Sequence, residues 1–133
     1  MHGVTILDHT DDNFLAVNLI DILYLLGAPA QESEWDISGL ECLGSKADEL
    51  HQIADDSVRI SGAILFELAA QLTQVIDGVF VGYKQGKQKP WIIVRAVDSS
   101  AYDVESSSEE VLASIRQNFQ EVVDIPSAIA PLV

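Results

Sequence analysis

Residues 75–104, VIDGVFVGYKQGKQKPWIIVRAVDSSAYDV, constrain the fold more than any other stretch of this chain. Two runs rich in Val, Ile and aromatic residues flank a polar loop, and a second turn leads to a third short run. Residues 79–84 and 91–98 therefore predict two strands joined through loop 85–90, with a third at 102–104 after the Asp98-Ser99-Ser100 turn. Pro90 is tolerated at a strand start, where no ladder donor is needed. In the second strand Ile92, Val94 and Ala96 face one way, and Trp91, Ile93, Arg95 and Val97 the other. Both faces are largely apolar, which predicts a central strand.

Helical signals surround this segment. Residues 4–7 predict a short strand, and Thr10, Asp11 and Asp12 then supply N-cap chemistry for a helix over 12–26. Gly27 and Pro29 end it. Phe14, Leu15, Val17, Leu19, Ile20 and their successors leave only a narrow polar stripe at Asn18 and Asp21. A helix apolar nearly all round is central in the core or shared with another subunit, so a homodimer is expected. Residues 30–44 read as loop with a brief strand at 35–37, and Ser45 with Asp48 signals a short helix to about Asp55. Ser61 caps a further helix, with Ile64, Leu65, Leu68, Leu72, Val75 and Ile76 at helical spacing and a stop at Asp77-Gly78. The competing reading makes 74–84 one strand with a bulge at Gly78. Ser106 and Ser107, each with Glu three residues on, cap a last helix to about Phe119. Its buried face would carry Val111, Leu112, Ile115 and Phe119. Residues 122–125 read as an edge strand and 126–133 as an extended tail. The expected fold is a single α+β domain over 1–125: helices, then a three-stranded antiparallel β-meander, then a C-terminal helix, with one sheet layer packed on the helices.

Charge narrows the partners. The 133 residues carry a net charge of -14, yet four of the seven basic residues, Lys84, Lys87, Lys89 and Arg95, fall within 75–104. A field of this sign repels phosphate backbones and argues against nucleic-acid binding. It suits solubility, or an acidic surface aimed at a basic target, as in an inhibitor or immunity-type protein. The apolar run 14–26 is short of the roughly 20 residues that span a bilayer, so no membrane partner is expected. Cys42 is the only cysteine, no secretory signal opens the chain, and a cytoplasmic location follows.

Catalytic patterns are incomplete. His2, His9, His51 and Cys42 have no metal-ligand spacing, so neither a metal nor a cofactor is expected. No G-x-S-x-G turn and no phosphate-binding glycine loop occurs, and no histidine in the second half serves Ser99 or Ser100 as a base. Cys42, among apolar residues beside Glu41, reads as structural. Two constellations remain. Asp77, Arg95 and Asp98 sit near one end of the predicted hairpin, as a small polar ligand site or as a cap, a turn and an ion pair. Tyr83 and Trp91 flank the lysine loop at the other end, where with Lys87 they read as a partner-binding spot or as cross-strand packing. Phe14 on the apolar helix is a further partner-binding candidate. The expected function is a non-enzymatic interaction or regulatory domain. The alternative is a small ligand-binding protein or enzyme at Asp77, Arg95 and Asp98.

PWIIVRAVDSSAYDV, with the preceding VIDGVFVGY, resembles small uncharacterised bacterial α+β domains of cyanobacterial type. The likeness covers residues 75–104. It implies a compact α+β fold and carries no functional residues.

Overall fold

The three-stranded meander expected from residues 75–104 is overturned: its strands belong to one seven-stranded antiparallel sheet. The structure, a computed structural model, describes residues 1–125, and the expected tail at 126–133 lies outside the described residues. In chain order the elements are β1 (His2–Ile6), α1 (Leu19–Leu26), α2 (Ala28–Gln31), β2 (Glu34–Gly44), α3 (Ala47–Asp55), β3 (Ile60–Ser61), α4 (Gly62–Ala69), β4 (Leu72–Tyr83), β5 (Ile92–Val97), β6 (Ala101–Ser106), α5 (Glu109–Asn118) and β7 (Val122–Asp124). The sheet order is β3-β2-β4-β5-β6-β1-β7. Strands from the start, middle and end of the described chain are thus interleaved, and the expected order of helices, meander and helix is replaced. β5 is the middle strand, and the two edges are blunted by the short β3 and β7.

Three departures have identifiable causes. The helix expected over 12–26 begins only at Leu19, because Asp21 accepts the Asn18 backbone N–H at 2.8 Å and caps the start there. The polar stripe of the sequence reading is therefore a helix start. Residues 30–44, expected as loop with a brief strand at 35–37, instead hold the end of α2 and the eleven-residue β2. Register shifts between Ser38 and Cys42 interrupt the alternation along β2 and hide it from a period-2 reading. The helix expected to run to Asp77-Gly78 stops at Ala69, and β4 starts at Leu72. Val75 pairs with Cys42 and Gln74 with Leu43, so β-branched residues at helical spacing are claimed by the sheet. The competing single-strand reading lies nearer to the structure. Ser61 does cap α4, its hydroxyl accepting the Ile64 N–H at 3.3 Å. α5 is capped by Ser108 through Val111 N, rather than by Ser106 or Ser107.

One face of the sheet is buried. Val4, Ile6, Trp35, Ile37, Phe80, Ile92, Val94, Tyr102 and Val104 meet Leu19, Ile22, Leu23, Leu50, Leu65, Leu68, Leu112 and Ile115 from the helices in one core. Burying Phe80 alone contributes roughly 1.5–3 kcal/mol. α1 thus spends its apolar side on this chain's own core, and its partnership with another subunit is not needed to cover it. The opposite face carries Asp36, Ser38, Val79, Val81, Ile93, Arg95, Asp103 and Glu105, none of them buried. Among the described residues, no helix is long and apolar enough to cross a membrane.

Candidate functional site

The β4–β5 hairpin places a tryptophan at its mouth and three lysines around it. Lys87 N–H donates to Lys84 O at 3.0 Å, and Gly86 takes φ 75°, closing a turn that suits glycine at its third position. This turn brings Lys84, Lys87 and Lys89 to the same concavity as Trp91. The Lys84 ammonium lies 5.7 Å from the Trp91 ring centroid, within cation–π reach. Together with Gln88, Pro90 and Ser107 these residues line an open concavity of about 570 Å³ that contains no acidic side chain.

Trp91 is fixed from below. Its indole Nε1 donates to Ser33 Oγ at 2.8 Å, and Ser33 Oγ donates to Pro29 O at 2.7 Å. The Trp91 carbonyl accepts from Ser106 Oγ at 2.8 Å and from Ser107 N at 3.1 Å, while its N–H donates to Gly82 O at 3.0 Å. Ser33 and Ser106 are the buried polar residues of the described chain, at 2% and 1% exposure, and both hold Trp91. Buried hydroxyls need partners: Ser33 Oγ links the Trp91 indole N–H to Pro29 O, and Ser106 Oγ links the Trp91 backbone carbonyl to the Ser108 N–H. Ser33 is itself set by Gly62, whose N–H donates to Ser33 O at 2.8 Å. A Cβ at Gly62 would lie 2.0 Å from Ala30 O, so only glycine lets α4 approach α2 this closely.

The charge at the pocket is unspent. Among the described residues Lys46, Arg59, Arg95 and Arg116 each pair with a carboxylate, whereas Lys84, Lys87 and Lys89 pair with none. In a chain of 21 acidic residues, three unpaired cations around one aromatic floor form a local anion-seeking surface.

Of the partner-binding candidates, Lys87 and Trp91 come together in this pocket. Tyr83 does not join them. It stands opposite Glu34 on the far face, with the Arg59 guanidinium 4.1 Å above its ring centroid, so the expected Tyr83–Trp91 pair does not form. Arg59 also grips Asp36 through two bonds of 3.0 and 2.9 Å, and that bond holds its pKa above the ordinary value. Phe14 lies outside α1, at the tip of a loop closed by Thr10 N to Phe14 O at 2.7 Å, and is 71% exposed. It overhangs a concavity of about 390 Å³ floored by Val17, Val75 and Tyr102.

The other constellation divides. Asp77 accepts the Asp98 N–H at 2.9 Å and so pins the β5–β6 turn, where Asp98 and Ser99 take φ of 52° and 58°. Arg95 is engaged by Glu105 on β6. Asp77 and Asp98 are joined as a turn clamp, and Arg95 belongs to a separate ion pair. Cys42 and His51 approach to 3.8 Å, but His51 Nε2 accepts the Cys42 backbone N–H at 3.3 Å. Burial, helped by the charge of Asp48, pushes the Cys42 thiol up, which leaves it a poor nucleophile. Among the described residues no group of three or more His, Cys, Asp or Glu side chains is placed to hold a metal ion.

Sequence reasoning missed Ser33 and Ser106 as parts of the site. Ser33 lies 58 residues from Trp91, and nothing in the local pattern ties the two. No protein-family model, curated protein or solved structure matches this chain.

Proposed function

We propose that this chain is a non-enzymatic interaction module that grips a short acidic segment of a protein partner in the Trp91 pocket. The observation that carries the reading is the use of both buried serines to hold Trp91 in a concavity lined by three unpaired lysines. A rigid aromatic floor with cations at its rim suits a segment offering carboxylates to the lysines and an apolar side chain to Trp91 and Pro90. Fields in physiological salt decay over about 8 Å, so a short segment senses the lysines while a long polyanion also meets the acidic remainder. That supports a peptide rather than a nucleic acid. The alternative of a ligand site at Asp77, Arg95 and Asp98 has less support, since the Asp77 carboxylate is bonded to the Asp98 backbone N–H and Arg95 to Glu105. The reading includes a cytoplasmic location, in keeping with one buried free thiol.

Calorimetric titration with a synthetic peptide of alternating glutamate and phenylalanine tests this. Binding is expected, weakened at least about tenfold, roughly 1.4 kcal/mol, in the double variant Lys87→Glu, Lys89→Glu. Equal affinity in the variant, or no heat from the wild-type protein, would sink the proposal.

A further inference from the structure

We infer that the concavity beneath Phe14 is a binding site for a neutral carbohydrate ring, a pyranose, independent of the Trp91 pocket. Its volume of about 390 Å³ falls within the roughly 300–1,000 Å³ of ligand pockets. Among the described residues no carboxylate, lysine or arginine lines it, although the chain carries 21 acidic side chains. An ion entering an uncharged lining loses hydration that nothing there replaces, so the occupant is neutral. Apolar and polar groups are divided within the site. Val17, Val75 and Tyr102, all buried, make the floor, and Phe14 adds an exposed aromatic ring at the mouth. Asn13, Asn18, Thr73, Gln74, Ser99 and Ser100 supply the polar lining. Each of these six side chains can both donate and accept a hydrogen bond, and so can His9 beside them while neutral. A sugar hydroxyl has the same double capacity. A purely apolar ligand would leave these amides and hydroxyls unpaired. A pyranose also carries a face of weakly positive C–H groups, which suits the negative face of an aromatic ring.

The rim is fixed before any ligand arrives. The Phe14 carbonyl accepts from Thr10 N at 2.7 Å, and the Phe14 N–H donates to Thr10 Oγ1 at 3.2 Å. At the β5–β6 turn, Gln74 Nε2 donates to Ser99 Oγ at 2.8 Å, and the Ser99 N–H donates to Ile76 O at 3.0 Å. Ser99 Oγ accepts in that bond and keeps its own proton to give. Asn13 and Ser99 take φ of 66° and 58°, values that side-chain-bearing residues seldom adopt. Such backbone persists only where its surroundings hold it, and it gathers at ligand sites. A loop and a turn already fixed lose little freedom on binding. The described chain leaves the sheet away from this site. The Ile125 N–H donates to Gly3 O at 2.9 Å, near the start of β1, whereas the pocket borders the other end of β1, where Ile6 pairs with Tyr102.

Amide nuclear magnetic resonance of the full chain, titrated with methyl pyranosides of the gluco, galacto and manno configurations, tests the assignment. At least one of the three is expected to shift the Asn13, Phe14, Ser99 and Ser100 amides to saturation at tens of millimolar, with the Trp91 indole signal unmoved. Phe14→Ala is expected to weaken that binding at least about tenfold, as truncation of an aromatic anchor does. Gln74→Ala, which frees the Ser99 hydroxyl, is expected to weaken it too, and it decides if Phe14→Ala fails to fold. Lys87→Glu with Lys89→Glu is expected to leave it unchanged. Glycerol, which has hydroxyls but no ring, is expected not to saturate the same amides. No shift with any of the three sugars, equal affinity in a folded Phe14→Ala or Gln74→Ala, or an equal response to glycerol would overturn the inference. So would saturation by adenosine where every pyranoside fails.

Discussion

Trp91 owes its position to two serines that no local pattern connects to it. Removing the Ser33 hydroxyl leaves the indole N–H buried without a partner. Ser33→Ala is therefore expected to cost about 1–3 kcal/mol in urea unfolding, and to move the Trp91 fluorescence, while leaving helix content unchanged. Tyr102 gives a second test at this scale. Burial raises its pKa above the ordinary 10.0, outweighing a backbone hydrogen bond from Leu19 that acts the other way. A raised phenol pKa means that the folded state keeps its proton longer than the unfolded one. The associated stability is complete below pH 10.0 and falls away as pH rises beyond it. Unfolding midpoints measured from pH 8 upward are expected to decline, and the decline is expected to be shallower in Tyr102→Phe.

Elements form where side chains and sheet partners agree. Asp21 caps α1 through the Asn18 N–H, so Asp21→Ala is expected to lower stability by about 0.5–2 kcal/mol by thermal unfolding. Gly62→Ala drives a methyl into the Ala30 carbonyl and is expected to destabilise more, by several kcal/mol, since backbone must yield. Such contacts mark how far the sequence is readable. The hairpin of Val81 and Ile93, the turn at Asp98 and the cap at Ser61 are legible because their signals are local. β2 is not, because its register shifts break the alternation, and β4 is not, because Val75 and Ile76 keep helical spacing although Val75 pairs with Cys42 in the sheet. For the site, Lys87 and Trp91 stand near each other in the chain and were readable. Tyr83 misled because its ring lies under Arg59, while the Trp91 indole leaves the strand alternation to reach the buried Ser33. The engagement of Arg95 depends on Glu105 across a strand pair, which Asp77 and Asp98 do not predict.

The whole molecule is a strongly acidic body with one basic pocket. Its net charge of -14 opposes any anionic ligand at long range, while the lysines attract one at contact. The chain has two tryptophans, Trp35 in the core and Trp91 in the pocket, so its indole N–H signals distinguish a local event from a global one. The most direct test is a nuclear magnetic resonance titration of these two signals with the glutamate–phenylalanine peptide. The Trp91 signal is expected to move to saturation while that of Trp35 stays in place, and Lys87→Glu with Lys89→Glu is expected to raise the peptide concentration at half-movement at least about tenfold. A Trp91 signal that does not move at millimolar peptide, or moves equally in that variant, would contradict the proposed peptide binding.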